Sequence, residues 1–425
     1  MIAQPPMVIH KVQHLTTRAP IVVKLAHDAT AFGIALEARA ASCNKARPLK
    51  LVVTLGKAKL LNAELRSGKF RQFTANRQLE AGTHKFKMSV SGGKRGCDKA
   101  AVDEMRLVLT LVPGGTPLGP KRHIPLATAF TSSPAERFGA SGDLFRTSFD
   151  GLTPENAMKM TYVETARGTF HFDTPDDIVN YAISLGKSVH GHPLVWHTQL
   201  PGWVLDAAWS KSDLEAVLHE WISAMVNHFK DRVHEWDVIN EPLADDGTLR
   251  PSIWAKVIGP DYIPLALQWT HDADPTAKLF INEYDDDLPG AKQRALLAMV
   301  RSLRSKGVPL DGVGIQGHWS LQQPPIDEAA LRAGVRSFAA AGMLIEFTET
   351  DVVTDGTPFS QIAQADEFAK AARVCQSVSA CVRFTVWGLD DNVSWRGVGS
   401  AATLFDRNYA PKPAFTAVKA ALDAG

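Results

Sequence analysis

Two glutamates follow hydrophobic runs, where a folded chain can present a carboxylate at the edge of a buried element. Glu241 follows the run WDVIN, and Glu349 follows LIEFT. Hydrolysis of a glycosidic bond needs one carboxylic acid to protonate the leaving oxygen and one carboxylate to attack carbon or activate water. A single glutamate at a strand end is more often an ion-pair partner or a helix-capping residue, so this hypothesis requires elements that bring both glutamates together.

Short apolar runs and helical stretches alternate along the chain after about residue 120. This alternation predicts parallel βαβ units. The stretch 212–230, for example, keeps Leu214, Trp221 and Met225 on one stripe, as expected for a helix that packs on a sheet. Eight units in roughly 300 residues predict a (β/α)8 TIM barrel of the α/β class. The candidate strands are PLATAF, FDGLTPEN, SVHGHPLVW, HEWDVINEP, AKLFINEYD, GVGIQGHW, LIEFTETDV and VRFTVWGLDD.

Polar and aromatic residues collect at the carboxyl ends of these strands. A TIM barrel has its active site on that face, because the strand ends and the βα loops converge there. Glu241 and Glu349 would leave the fourth and seventh strands on the same rim. A doubly wound sheet is the alternative, but it would need a glycine-rich phosphate turn after a strand, and the sequence has none.

The segment before the barrel has a different pattern. Alternating residues at 85–90 and 106–111 predict strands, and residues 1–112 are interpreted as a smaller all-β, β-sandwich-like domain. A Pro/Gly linker is predicted at 113–123, and the catalytic domain at 124–425. Residues 1–123 contain 21 Lys+Arg against 7 Asp+Glu, whereas the rest of the chain contains 25 against 38.

This charge asymmetry indicates two distinct surfaces. The basic one could bind an anionic polysaccharide or a cell surface, and it could equally be a solvated strand face or dock on the acidic barrel. All Trp and Tyr residues lie after residue 160, so the segment lacks an indole or phenol platform for stacking on sugars. We expect no nucleic-acid partner, no membrane span and a monomer.

From Leu126 onward the chain resembles glycoside hydrolase family 10 xylanases. Six motifs stand in the order and spacing of that family: TPENAMK, GHPLVWHTQLPGWV, WDVINEP, GIQGHW, FTETD and TVWGLDDNVSWR. The resemblance implies a retaining endo-β-1,4-xylanase without a cofactor, with Glu241 as general acid/base and Glu349 as nucleophile. A β-glucanase of the same barrel type would share NEP and TETD without needing the TPENAMK and GHPLVWHTQ motifs, and a non-catalytic glycan-binding barrel would not need both glutamates.

The same resemblance assigns supporting roles. Asn240 is expected to donate to the sugar 2-hydroxyl, and His318 to hydrogen-bond Glu349 while Asp351 orients its ring. The residues expected to bind substrate are Glu155, Asn156, Lys159, His192, Trp196, Gln199, Gln316, Trp387 and Trp395. The remaining indoles are assigned to core packing, namely Trp203, Trp209, Trp221, Trp236, Trp254 and Trp269.

Three positions depart from the usual family pattern. Met160 stands where a tryptophan is common, and the common NDYN is NEYD here, with Glu283 and Asp285. These changes concern the support of the acid/base and of the sugar subsites. His190 and His192 could suggest a metal, but no third ligand follows at suitable spacing, so no metal is predicted.

The four cysteines fall into two pairs, Cys43 with Cys97 and Cys375 with Cys381. Two disulfides within the two domains would fit an oxidising compartment, although four buried thiols would give the same sequence. The family resemblance adds support for the pair Cys375 and Cys381. The first residues lack the charged and apolar regions of a signal peptide, so we expect a cytosolic chain or the mature form of a secreted or periplasmic one.

Overall fold

The computed structural model describes residues 123–131 and 134–423, and, before residue 123, the strands named at the end of this subsection. Eight parallel strands form its centre. They are β1 Leu126–Phe130, β2 Gly151–Pro154, β3 Ser188–Gly191, β4 Glu235–Asn240, β5 Lys278–Glu283, β6 Gly312–Ile315, β7 Leu344–Val353 and β8 Cys381–Val386.

The eight strands pair in chain order and close on themselves. The last strand, β8, lies beside β1, with Phe384 opposite Leu126, and all of these pairings are parallel. A short strand, His318–Ser320, adds to the outer half of β7. The predicted (β/α)8 barrel is therefore confirmed, and each of the eight candidate runs coincides with one barrel strand to within a few residues.

One principal helix follows each strand. The helices are α1 Gly139–Ser148, α2 Asp173–Ser184, α3 Lys211–Phe229, α4 Tyr262–Ala273, α5 Ala291–Ser305, α6 Glu328–Ala340, α7 Pro358–Ser377 and α8 Pro413–Asp423. Shorter helices Met160–Val163, Gly202–Leu205 and Ile253–Val257 lie in the βα loops. Within the described residues, no helix is long and apolar enough to cross a membrane.

Local sequence explains where these helices begin and which face they bury. Ser210 caps α3 by accepting a hydrogen bond from the Asp213 amide, and Asp327 caps α6 in the same way. The apolar stripe of α3, including Leu214 and Trp221, is fully buried against the barrel. Burial of such stripes supplies the main stabilisation of helices of this length.

The six tryptophans that were predicted to pack in the core do so. Trp221, Trp236 and Trp254 are among the largest fully buried side chains, and Trp203, Trp209 and Trp269 pack partly buried against the same core. Cys375 and Cys381 form the predicted disulfide, which joins the last turn of α7 to the first residue of β8. Cys43 and Cys97 lie outside the described residues.

The strands before the barrel pair antiparallel, in two sheets of four. They include Gly82–Ser91 and Met105–Pro113, where the alternating pattern predicted strands. The packing of the two sheets into a sandwich, and the domain boundaries near residue 120, stay predictions. The remaining strands are Lys11–Val12, Ile21–Leu25, Ala29–Ala38, Leu49–Leu55, Ala58–Leu65 and Arg71–Leu79.

Candidate active site

A cavity of about 540 Å³ opens at the carboxyl ends of the barrel strands, and both candidate glutamates line it. Every residue predicted to bind substrate contributes to its wall. The lining residues are Glu155, Asn156, Lys159, His192, Trp196, Gln199, Asn240, Glu241, Tyr284, Asp285, Gln316, His318, Glu349, Trp387, Trp395 and Arg396. Of the predicted supporting residues, Asp351 is set behind the wall, completely buried.

Glu349 lies within β7 and is held through both carboxylate oxygens. Its Oε1 accepts a hydrogen bond from Asn282 Nδ2 at 2.7 Å, and its Oε2 lies 3.2 Å from His318 Nε2. The Glu349 amide in turn donates to the carbonyl oxygen of Gln316 at 3.1 Å. Partners on both oxygens restrict the rotation of the carboxylate, so that it keeps one orientation in the cavity wall.

Asn282 is itself fixed by its neighbours in the barrel interior. Its side-chain amide also donates to Asn240 Oδ1 at 2.9 Å, while its Oδ1 accepts from Thr348 Oγ1 at 2.6 Å. Space for the Asn282 side chain comes from Gly314 on β6, because a Cβ on that glycine would lie 2.3 Å from Asn282 Oδ1. Glycine at 314 thus permits the close approach that delivers a donor to Glu349.

His318 links Glu349 to a buried carboxylate. Its Nδ1 lies 3.0 Å from Asp351 Oδ2, and the same carboxylate accepts hydrogen bonds from Trp395 Nε1 at 2.7 Å and Arg396 Nε at 3.2 Å. Burial opposes a charged ring, but the Asp351 and Glu349 carboxylates outweigh it and raise the pKa of His318 to about 9. The histidine is therefore an imidazolium at neutral pH, with both nitrogens donating to carboxylates.

Glu241 is the residue after β4, and its backbone is in the left-handed region with φ 53°. A non-glycine residue in this region is uncommon and is tolerated where surrounding contacts hold it. Here the Glu241 amide donates to the Asn282 carbonyl at 2.8 Å. The carboxylate Oε1 accepts from Gln316 Nε2 at 3.1 Å, and Oε2 lies 3.6 Å from His197 Nδ1. Burial lowers the pKa of His197, so this ring is neutral at neutral pH.

Arg250 holds the backbone around Glu241 through hydrogen bonds. The guanidinium donates to the carbonyl oxygens of Glu241 at 2.9 Å and Leu243 at 2.6 Å, and to Tyr284 Oη at 2.8 Å. Carbonyl oxygens left over at a sharp turn need such donors, because an unpaired backbone group costs free energy when water is excluded. Arg250 therefore fixes the turn that carries Glu241 without touching its carboxylate.

The three residues that depart from the usual family pattern are Met160, Glu283 and Asp285, and the structure gives each a defined place. Glu283 is buried and pairs with Lys292 Nζ at 3.0 Å, and it also accepts from the Leu243 amide at 3.0 Å. Burial is the largest influence on this carboxyl and raises the pKa of Glu283 to about 7. Met160 is buried in the core, and Asp285, with φ 55°, lines the cavity.

One side of the cavity is a polar wall from the loop after β2. Lys159 Nζ donates to Asn156 Oδ1 at 2.9 Å, and Asn156 Nδ2 donates to Glu155 Oε1 at 3.2 Å. The Lys159 ammonium also lies 4.7 Å from the centre of the Trp196 ring. Gln199 Nε2 approaches Asn156 Oδ1 at 3.4 Å. The wall combines hydrogen-bond donors, such as the Lys159 ammonium, with acceptors, such as the Glu155 carboxyl. Burial raises the pKa of Glu155 and lowers the pKa of Lys159.

His192 and Trp387 close this wall toward the centre of the barrel. The His192 ring meets the Trp387 indole edge-on, with ring centres 5.2 Å apart. His192 Nδ1 lies 2.8 Å from Asp237 Oδ2. Trp387 is almost completely buried whereas Trp395 is half-exposed, so one indole lies deep in the cavity and the other at its rim.

Sequence reasoning missed several residues that the structure brings to the site. Tyr284 and Arg396 line the cavity, and Arg250, Asn282 and His197 contact the two glutamates or the turn that carries one of them. A signal for most of them was present, because they belong to the strand-end runs NEYD, SWR and VWH. Arg250 had no such signal, since its role depends on the fold of the loop after β4.

A cavity that presents two carboxylates between polar side chains and indoles, at this end of a (β/α)8 barrel, is the kind of site that glycoside hydrolases use. Comparison with known protein families identifies which family of glycoside hydrolases it is. The model of glycosyl hydrolase family 10 matches residues 120–421, and the chain belongs to this family. It is a retaining glycoside hydrolase.

Curated relatives and solved structures agree with this assignment. Endo-1,4-beta-xylanase A of Phanerodontia chrysosporium is 37% identical over 279 residues, covering 64% of this chain and 67% of that protein. Endo-1,4-beta-xylanase B of Thermotoga neapolitana is 36% identical over 285 residues, covering 65% and 82%. The crystal structure of xylanase 10B from Thermotoga petrophila RKU-1 in complex with xylobiose is 36% identical, with a TM-score of 0.67, and is similar over 71% of this chain and 94% of that one.

Proposed function

We propose that this chain is an endo-β-1,4-xylanase that cleaves the xylan backbone by double displacement, with Glu241 as general acid/base and Glu349 as nucleophile. The observation that carries the proposal is that both carboxylates line one cavity together with the polar wall and the indoles. The similarity to endo-1,4-beta-xylanases, and to structures solved with xylobiose and xylotetraose, supports xylan as the substrate.

In the first step Glu241 gives its proton to the glycosidic oxygen while a Glu349 oxygen attacks the anomeric carbon. The carbon–oxygen bond to the leaving sugar breaks, and a glycosyl ester forms on Glu349. In the second step Glu241, now ionised, takes a proton from water, and the resulting hydroxide oxygen displaces Glu349 from the same carbon. Two inversions give net retention, and both carboxyl groups return to their starting states.

The contacts around each glutamate fit these roles. Glu349 is held by Asn282 and the charged His318 ring, which orient its carboxylate for attack. Asn240 Oδ1 accepts from Asn282, and Asn240 Nδ2 approaches Glu241 Oε1 at 3.5 Å, which leaves its second hydrogen for a sugar 2-hydroxyl in the cavity. A hydrogen bond at that hydroxyl can strengthen as charge develops on the ring in the transition state.

The rest of the cavity fits a pyranose chain. Sugar rings carry hydroxyls at their edges and C–H groups on their faces, so amide, ammonium and imidazole groups can read the edges while indoles cover the faces. Glu155, Asn156 and Lys159 supply the first kind of contact, and Trp387 and Trp395 supply the second. Xylose lacks the hydroxymethyl group of glucose, and the deep indole of Trp387 would crowd that substituent in a glucan.

For the segment before the barrel we propose a separate all-β domain that binds anionic glycan or docks on the barrel. Its net charge of +14, against −13 for the rest of the chain, supports both readings. The disulfide between Cys375 and Cys381 and the resemblance to xylanases support a secreted or periplasmic location.

The function is tested by measuring reducing ends released from glucuronoxylan and from carboxymethylcellulose. Wild type should act strongly on xylan and weakly on the cellulose derivative, and Glu349→Ala should be inactive on both. Glu220→Ala, on an exposed face of α3, is the matched control and should behave as wild type. Activity mainly on carboxymethylcellulose would instead assign a β-glucanase, and activity that survives in Glu349→Ala would refute the catalytic assignment.

A further inference from the structure

A second cluster of ionisable groups lies inside the barrel, closer to the amino ends of the strands than the catalytic pair. His190 lies on β3, two residues before His192; Asp237 precedes Asn240 on β4, and Glu346 precedes Glu349 on β7. These three members are about 1% exposed. Ionised groups this deeply buried cost free energy unless they are paired, so the partners of these groups decide which of them can be charged.

The His190 ring contacts carboxylates on both sides. Its Nε2 lies 3.0 Å from Asp237 Oδ1, and its Nδ1 lies 3.2 Å from Glu346 Oε2 and 3.8 Å from Glu235 Oε2. Arg383 Nη1 lies 3.1 Å from the same Glu235 oxygen. Burial disfavours a charged ring, but Asp237 and Glu346 outweigh it and raise the pKa of His190 well above its usual range.

Asp237 connects this cluster to the substrate cavity, because its carboxylate is shared between two imidazoles. Its Oδ1 faces His190 and its Oδ2 accepts from His192 Nδ1 at 2.8 Å. Although burial opposes ionisation, His190 and His192 hold the pKa of Asp237 at about 2. One carboxylate charge can balance only one imidazolium, and His190 has two further carboxylates within 4 Å.

We propose that His190 is a positioning residue that takes the proton of this pair, so that His192 stays neutral, donates from Nδ1 to Asp237 and presents the lone pair of Nε2 to a sugar hydroxyl. The inference rests on the proposed function for the identity of the ligand. It assigns His192 as an acceptor, in a wall where Lys159 is a donor.

A cation is the competing occupant of the cluster. Ligand atoms of His190, Glu235 and Glu346 lie within 4.8 Å of one another, a spacing that a metal ion could use. The ion would then share the Glu235 oxygen with the Arg383 guanidinium at 3.1 Å, and the repulsion between the two cations would disfavour it. A proton on His190 adds only one positive charge, and the ring stays 3.8 Å from the Glu235 oxygen that Arg383 contacts, so this repulsion is smaller.

A double-mutant cycle on xylohexaose tests whether His190 acts through His192. His190→Gln should lower kcat/KM about five- to tenfold, the size of one lost hydrogen bond to substrate. The double variant His190→Gln/His192→Gln should be no worse than His192→Gln alone, because the second change removes what the first one positions. His219→Gln, on the exposed face of α3, is the matched control and should leave kcat/KM unchanged.

The nitrogen-15 spectrum of histidine-labelled protein provides a readout that a purely structural role would not change. The His192 signals are assigned by their loss in His192→Gln. In wild type, Nδ1 should have the shift of a protonated nitrogen and Nε2 that of an unprotonated one. In His190→Gln, Nε2 should move to the protonated shift, because His192 then supplies the charge that balances Asp237.

If His190→Gln does not fold, the same cycle and spectra are run on His190→Gln/Glu346→Gln, which removes one positive and one negative group together. Additive losses in the cycle, or unchanged His192 signals in a folded variant, would overturn the inference. A stoichiometric metal that a chelator removes, with loss of the His190 contacts, would overturn it as well. The spectra do not depend on activity, so failure of the xylanase assignment would remain distinguishable from failure of this inference.

Discussion

β4 and β7 each bring a glutamate to the same cavity, and the two glutamates are held in different ways. Glu349 on β7 lies within a strand, with Asn282 at 2.7 Å on one oxygen and a charged His318 at 3.2 Å on the other. Glu241, after β4, has Gln316 at 3.1 Å and a neutral His197 at 3.6 Å. Its strongest restraints act on the backbone, through Arg250.

This difference corresponds to what each carboxyl must do in the proposed mechanism. A nucleophile keeps one charge state until it attacks, so a charged partner and tight contacts help it. An acid/base must be protonated in one step and ionised in the next, and a charged partner would bind one of these states too strongly. The chain fixes Glu241 through its backbone, which leaves the carboxyl free to exchange a proton.

The largest expected effect is a difference between the Glu241 and Glu349 variants that depends on the leaving group of the substrate. On xylan, we expect Glu349→Ala to lose more than about 10⁴-fold and Glu241→Ala about 10²- to 10⁴-fold in kcat. On a dinitrophenyl β-xylobioside, whose leaving group needs no proton, Glu241→Ala should still form the glycosyl ester and release a burst of dinitrophenolate. Glu349→Ala should give no burst. Stopped-flow absorbance measures both.

Azide provides the control for this comparison. In Glu241→Ala it should attack the glycosyl ester and give the β-glycosyl azide, whereas in Glu349→Ala it should replace the missing nucleophile and give the α-azide. Proton NMR of the products distinguishes the two anomers. The same anomer from both variants would contradict the assignment of different roles to β4 and β7.

A smaller effect should follow from the charge of His318. His318→Gln removes a charged donor to Glu349, and we expect kcat/KM to fall by about 10²-fold. The folded pKa of about 9 lies above the usual 6.5, so the charged ring stabilises the fold fully below about pH 6.5, and this contribution is lost as the pH rises through about 9. The difference in Tm between wild type and His318→Gln should therefore shrink over that range in calorimetry.

Asp351→Asn tests the cause of the His318 shift. Asp351 is the largest favourable influence on the ring, so its neutral variant should lose the His318 charge at a lower pH. Because the charged ring supports Glu349, we expect wild-type activity to fall as the pH rises through about 9, and to fall at a lower pH in Asp351→Asn. An alkaline limb that stays in place in Asp351→Asn would mean that another group controls it.

Arg250 should affect mainly acid catalysis by Glu241, at the end of β4. Arg250→Gln loses the donors that fix the Glu241 turn, and we expect kcat on xylan to fall about tenfold, consistent with the loss of charged hydrogen bonds. On the dinitrophenyl substrate the loss of burst rate should be smaller, because acid catalysis is not needed there. Arg167→Gln, which breaks an exposed ion pair with Glu220, is the control and should leave both rates unchanged.

The barrel and the position of both glutamates could be predicted well from the sequence because the signals were local. Polar residues follow each apolar run directly, so the pattern alone predicts Glu241, Asn240 and Glu349 on one face of the barrel. The residues that tell the two glutamates apart were harder to find. Arg250 and Gly314 act through loop folding and close approach, which periodicity does not encode.

The interior of the barrel was the least predictable part. His190 was considered only as a metal ligand, and its carboxylate partners lie about 45 to 156 positions away in sequence, on β4 and β7. Side chains from distant strands meet there only after the barrel closes, and burial then decides their charge. No spacing rule within one strand could have indicated that Asp237 is shared by two histidines.

The smallest expected effect concerns the rim of the cavity on the β7 side. Trp395→Phe keeps an aromatic ring but removes the indole N–H that donates to Asp351 at 2.7 Å. Asp351 keeps its contacts with the charged groups of His318 and Arg396, which still hold the carboxylate, so we expect kcat/KM on xylohexaose to fall only about two- to fivefold. Trp395→Ala also removes the ring that would cover a sugar face, and it should raise KM further at similar kcat. Equal losses in the Phe and Ala variants would mean that the hydrogen bond to Asp351, and not the aromatic face, is what this residue contributes to the nucleophile side of the site.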